Sequence, residues 1–251
     1  MRLLRLRHIL ISVCALTALT ASPAQAITGG QPDGNAHPYV AFVGDPNPPR
    51  PFCSGIVIDP TTVVTAAHCF AVPGQFVLVF PDGPRASAPM PGNWIPDPEF
   101  CSACGGGLVG FSTHDIAVVK LWGPLDLPRY AQLPELGATE GFGNQTPLTM
   151  VGYGAQDFVK QGPGKPQPFT DFMRTAADGG LGTAGTGFAD EFLKVKLNKG
   201  GFCLGDSGGP ALIGDTAYGL SSFVTNDGCN GVGYAYRLDT PAAQSFIAAT
   251  R

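Results

Sequence analysis

The chain has 251 residues, a formal charge of −4, 35 glycines and 24 prolines. The acidic balance argues against electrostatic nucleic-acid binding. The glycine and proline content argues for many turns and against long helices.

The first residues, Met1-Arg2-Leu3-Leu4-Arg5-Leu6-Arg7-His8, are basic. A short apolar run from Ile9 to Ala21 follows, and then Pro23-Ala24-Gln25-Ala26. A basic stretch, an apolar stretch and an A-x-A site together read as a secretory signal, residues 1–26, cleaved after Ala26. The run is shorter than the ~20 residues a membrane span needs. The expected mature chain is 27–251, secreted, with a formal charge of −7 once the leader's three arginines are gone. It keeps Cys53, Cys69, Cys101, Cys104, Cys203 and Cys229. An even number in an exported chain suggests disulfides, but six cysteines allow 15 pairings and spacing alone does not assign them.

Short β-rich runs follow one another: Tyr39–Val43, Ser54–Ile58, Thr62–Thr65, Gln75–Phe80, Trp94–Ile95 and Ile116–Leu121. A proline-rich connection from Pro124 to about Pro134 marks a boundary. A second set comprises Leu148–Gly152, Phe169–Thr175, Glu191–Leu197, Pro210–Ile213, Ala217–Phe223 and Gly231–Leu238. Gln161–Pro166 and Gly179–Gly187 read as loops. Strands of this length and spacing predict a sandwich or barrel rather than βαβ units. From Thr240 the pattern predicts a helix, with Thr240 as N-cap, Pro241 in the first position, and Phe246 and Ile247 packed on the second half.

Chemistry concentrates in Gly205-Asp206-Ser207-Gly208-Gly209-Pro210. Small flanking residues let the backbone turn sharply, so that the N–H groups of Gly205 and Ser207 can serve one oxyanion. A serine hydroxyl needs a base, and the base needs an orienting group. The segment also fits G-x-S-x-G, but that elbow requires a histidine after the serine. The four histidines, His8, His37, His68 and His114, all precede Ser207. His68, in Thr65-Ala66-Ala67-His68-Cys69, is the candidate base; a core histidine or half of a metal pair is the plainer reading. His114 is its rival, although His114 and Asp115 cannot both face one site in extended chain. His37 reads as structural. Asp115 heads the buried run Ile116–Leu121, where an acid needs hydrogen-bond partners.

These segments resemble the chymotrypsin/trypsin-like serine protease family. The resemblance is carried by Ile27-Thr28-Gly29-Gly30, Thr65–Cys69, Asp115-Ile116-Ala117, Val151-Gly152-Tyr153-Gly154 and Gly205–Pro210, in that order. It implies two antiparallel six-stranded β-barrels, about 27–130 and 131–238, with a short C-terminal helix, about 240–250. It implies Ser207 as nucleophile, His68 as base and acid, Asp115 as orienting carboxylate and Ser222 as its support. Gly205 and Ser207 would form the oxyanion hole, and Ile27 and Asp206 the activation pair. The implied disulfides are Cys53–Cys69 and Cys203–Cys229. That leaves Cys101 and Cys104 for a local disulfide rather than half a zinc site, on a loop bordering the cleft.

The expected substrate pocket is Gly201, Phe202, Phe223 and Val224. Gly201 stands where trypsins carry an aspartate, which implies a small or medium apolar residue before the cleaved bond. A slipped alignment would instead bring Asp227 into the pocket and restore a taste for Arg or Lys. The resemblance implies a monomer acting on proteins or peptides and open to protein inhibitors, with no cofactor, metal, nucleic acid or membrane partner. The competing readings are a catalytically inactive homologue that binds a partner, and a secreted esterase, which the histidine order disfavours.

Overall fold

The structure is a computed structural model that describes residues 27–46, 52–102, 104, 112–160, 163–182, 190–226 and 228–251. The expected signal segment, Asp227 and the glycines after Cys104 lie outside them. The strands are β1 (Gln31–Pro32), β2 (Val40–Gly44), β3 (Phe52–Asp59), β4 (Thr62–Thr65), β5 (Phe76–Phe80), β6 (Met90–Pro96) and β7 (Ala117–Leu121). They continue with β8 (Pro147–Gly152), β9 (Asp157–Val159), β10 (Gln167–Phe169), β11 (Thr175–Gly182), β12 (Phe192–Leu197), β13 (Pro210–Ile213), β14 (Thr216–Val224) and β15 (Val232–Arg237). The chain ends in α1 (Pro241–Thr250).

Two closed, six-stranded antiparallel barrels result. The first runs β2-β3-β4-β7-β6-β5, with β5 pairing back to β2. The second runs β8-β11-β12-β15-β14-β13, with β13 pairing back to β8, and β1 adds to β11. Val63, Val64, Val77, Val79, Trp94, Val119 and other apolar side chains are buried in the first barrel. β-Branched and aromatic residues suit a pleated surface packed on one face. Between the barrels, the Ala131 N–H bonds to Val57 and the Gln132 N–H to Asp215, so adjacent residues serve opposite barrels.

Three expectations need correction. Phe169–Thr175 is not one strand. Asp171 accepts from the Met173 N–H and the Thr170 hydroxyl from the Phe172 N–H, and Phe172 turns to φ 61. Side chains that bond their own neighbouring backbone in this way compete with a sheet ladder. Gly179–Gly182 is strand rather than loop. A Cβ on Gly179 would sit 2.5 Å from the Lys196 carbonyl, so glycine there permits close strand approach. Helix α1 is capped by Thr240 as expected, its hydroxyl accepting from the Ala243 N–H. It packs on β7 of the first barrel, however, and Arg251 reaches Asp59 of β3. A terminal helix buries its apolar stripe wherever a face is open, which the order of the chain does not specify. No helix among the described residues is long and apolar enough to cross a membrane.

Candidate active site

β4 pairs with β7 in the register Thr65↔Ala117. Extending that register past the strand ends brings the turn Ala67–Cys69 beside Asp115. The His68 N–H donates to Asp115 Oδ1 at 3.0 Å, and His68 Nδ1 lies 2.8 Å from Asp115 Oδ2. The Ser222 hydroxyl donates to the same Oδ2. Asp115 is fully buried, and burial by itself would raise its pKa. The His68 charge and these hydrogen bonds outweigh burial and hold it below the usual carboxylate value. Burial would lower the His68 pKa, but Asp115's charge and hydrogen bond raise it overall. An ionised Asp115 fixes the proton on Nδ1 and leaves the Nε2 lone pair free. Nε2 lies 2.8 Å from Ser207 Oγ, which comes from the other barrel.

Ser207 stands on a turn between Cys203 and β13. Gly205 and Gly208 take φ of +95° and +78°, a region L side chains avoid. Ser54 of β3 pins this turn across the barrel interface. Its N–H donates to Ser207 O at 2.8 Å, its hydroxyl donates to Gly205 O at 3.0 Å, and the same hydroxyl accepts from the Tyr153 N–H at 2.9 Å. Sequence reasoning does not single out Ser54; a polar residue inside the buried run beside Cys53 is the available signal. Disulfides join Cys53 to Cys69, Cys203 to Cys229 and Cys101 to Cys104.

Asp206 points away from solvent and accepts from the Gly154 and Cys203 N–H groups, both at 2.8 Å. Gly152 and Gly154 cradle it; a Cβ on either would lie 2.3–2.5 Å from its carboxyl group. Burial pushes its pKa up to about 7. The Ile27 side chain is buried in the second barrel's core, with φ 53.

The other expected residues separate by role. His37 pairs with Asp33. His114 lies 3.6 Å from Asp97 and 3.5 Å from Glu99, and these three bring ligand-type atoms within 4.8 Å of one another. Cys53, His68 and Cys69 also cluster, but those sulfurs are bonded together. Gly201 is buried, and a Cβ there would lie 2.5 Å from the Cys229 carbonyl. Phe202 is only 2 % exposed, so it is core rather than an open pocket wall. Phe223 stacks on Tyr234, and Val224 is half-buried.

The family model described as Trypsin matches residues 26–247. The human chymotrypsin-like elastase family member 3A is 30% identical over 206 residues, which cover 71% of this chain and 70% of that one. The solved HL collagenase structure superposes with a TM-score of 0.70 at 19% identity, covering 89% of this chain and 98% of the other. A scabies mite inactivated protease paralogue, S-D1, gives 0.67 at 16% identity, covering 89% and 97%.

Two outcomes follow from the buried groups. Ser54→Ala leaves Gly205 O and the Tyr153 N–H without this partner. It costs about 1–3 kcal/mol in denaturant unfolding and lowers kcat more than it raises KM. In a chain still joined at Ala26, folded Asp206 binds its proton more tightly than the unfolded chain with its ordinary 3.8. Asp206 therefore contributes stability that is lost as pH rises from about 4 to about 7, and Asp206→Asn removes that contribution from the measured pH profile.

Proposed function

This chain belongs to the trypsin family and is a serine endopeptidase acting on proteins or peptides, and we propose that it is exported and works through Ser207, His68 and Asp115. The observation that carries this reading is the pair of 2.8 Å contacts running Asp115–His68–Ser207 between the two barrels. The chemistry is that of the Ser-His-Asp triad, whose standard example comes from this same family, applied to these residues.

Ser207 Oγ attacks the peptide carbonyl while its proton passes to His68 Nε2. Ionised Asp115 stabilises the imidazolium. The N–H groups of Gly205 and Ser207 receive the oxyanion. His68 then protonates the leaving nitrogen, and the C–N bond breaks to give an ester on Ser207. Water repeats the sequence, giving its proton to His68 and releasing the acid. Ser222 acts on Asp115 and not on substrate.

Signal cleavage after Ala26 frees the Ile27 amino group and generates the mature domain, 27–251. Two features support a role for that new terminus. Asp206 is a buried carboxyl with no cation beside it among the described residues, and its raised pKa falls once an ammonium pairs with it. Ile27 takes a positive φ, costly for a β-branched residue because of the preceding carbonyl, and cleavage removes that carbonyl. Specificity for a small or medium apolar residue over Arg or Lys is supported by Gly201, where neither a carboxylate nor room for one exists without displacement of Cys229.

The test uses casein as substrate and the chain beginning at Ile27. The wild type cleaves it, and Ser207→Ala and His68→Ala lose at least about 10³-fold. The acid limb of kcat/KM lies above the ordinary histidine value of 6.5, because neutral His68 is the active form and Asp115 raises its pKa. A chain that keeps Ala26 loses at least about tenfold. Folded wild type that leaves casein intact would favour the binding homologue; equal activity with and without Ala26 would remove the role given to Ile27.

A further inference from the structure

The two sides of Ser207 are built differently. The resemblance assigns Gly201, Phe202 and the end of β14 to the pocket for the residue before the cleaved bond. In β15, Gly233 and Ala235 share a face, by the two-residue alternation of a strand. A Cβ on Gly233 would lie 2.0 Å from Phe202 Cζ, so the Phe202 ring covers that glycine. Phe202 and Ala235 belong to one buried cluster. The ring thus fills the space over Gly233 in that assigned pocket.

A cavity of about 390 Å³ touches both His68 and Ser207. Its apolar walls include Phe52, Ala155, Phe169, Leu204 and the Cys53–Cys69 bridge. None of Gly201, Phe202, Phe223 or Val224 lines it. Leu204 is 66 % exposed and Phe169 37 % exposed, a large apolar pair left open to water at the catalytic serine. His68 gives its proton to the departing nitrogen, so the residue bearing that nitrogen sits on the His68 side, against these walls.

We infer that this protease selects its cleavage sites on the leaving-group side. A large apolar residue follows the scissile bond, seated among Phe52, Phe169 and Leu204, while Phe202 limits the residue before the bond to a small one. This rests on the triad reading above. Specificity is then carried by a cavity walled by β3, by Phe169 of β10 and by the turn before Ser207.

Acyl transfer reads that side directly. A short alanyl ester acylates Ser207 and releases its alcohol. An added amine then competes with water: its nitrogen attacks the ester carbonyl, its proton passes to His68, and the C–Oγ bond breaks. Ser207 recovers the proton, and the product is an amide. With amino-acid amides as nucleophiles, leucinamide and phenylalaninamide exceed glycinamide in aminolysis over hydrolysis by at least about tenfold. Leu204→Ser and Phe169→Ser each narrow that ratio, and Phe202→Ala admits Leu or Phe before the bond in peptide digests. Equal partition among the three amides, with the ester still hydrolysed by the wild type, overturns the inference and leaves the triad standing. Absence of ester hydrolysis and of an acyl-enzyme overturns the triad reading itself. The wild-type partition ratio needs no variant, so a misfolded substitution does not obscure the result.

Discussion

Ser207 Oγ on one barrel lies 2.8 Å from His68 Nε2 on the other, and the proposed mechanism depends on the rest of the structure holding that contact. Neither barrel alone contains the full set. His68 and Asp115 are fixed to each other by the β4–β7 register, whereas Ser207 belongs to the turn that precedes β13. Ser54 closes the gap. It extends from β3 and holds Gly205 O, Ser207 O and the Tyr153 N–H with its own backbone and side chain. A shift of the barrels would break these bonds together with the His68–Ser207 contact, so interface stability and site geometry are one property.

The two buried acids in this region have opposite environments. Asp115 receives hydrogen bonds from His68 and Ser222 and stays ionised, which lets it support an imidazolium. Among the described residues Asp206 receives two backbone N–H groups and no side-chain cation, and burial dominates. The same residue type is thus held as an anion in one place and pushed toward its neutral form beside Ser207. The second arrangement is the one the proposed pairing with a freed Ile27 amino group requires.

Much of this was legible in the sequence because the chemistry needs specific residue types in short segments. Gly205–Pro210 and Thr65–Cys69 announce themselves, and the order of histidines and serine excludes the elbow fold. The helix cap at Thr240 was equally local. What escaped depended on tertiary placement. Ser54 looks like an ordinary strand serine until its partners on the second barrel are known. Phe202 reads as a pocket wall until Gly233 is seen beneath its ring. The Phe169–Thr175 segment has strand-like composition, yet Thr170 and Asp171 cap their own backbone and break it.

The central claim is that Ser207 is an activated nucleophile in the processed chain. Intact-mass measurement of residues 27–251 before and after a fluorophosphonate probe tests it most directly, with Ser207→Ala alongside. The account predicts a starting mass with three disulfides and one adduct, mapped to Ser207 and missing from the variant. A correctly processed, folded chain that takes up no adduct, or takes it up equally in the variant, would contradict it.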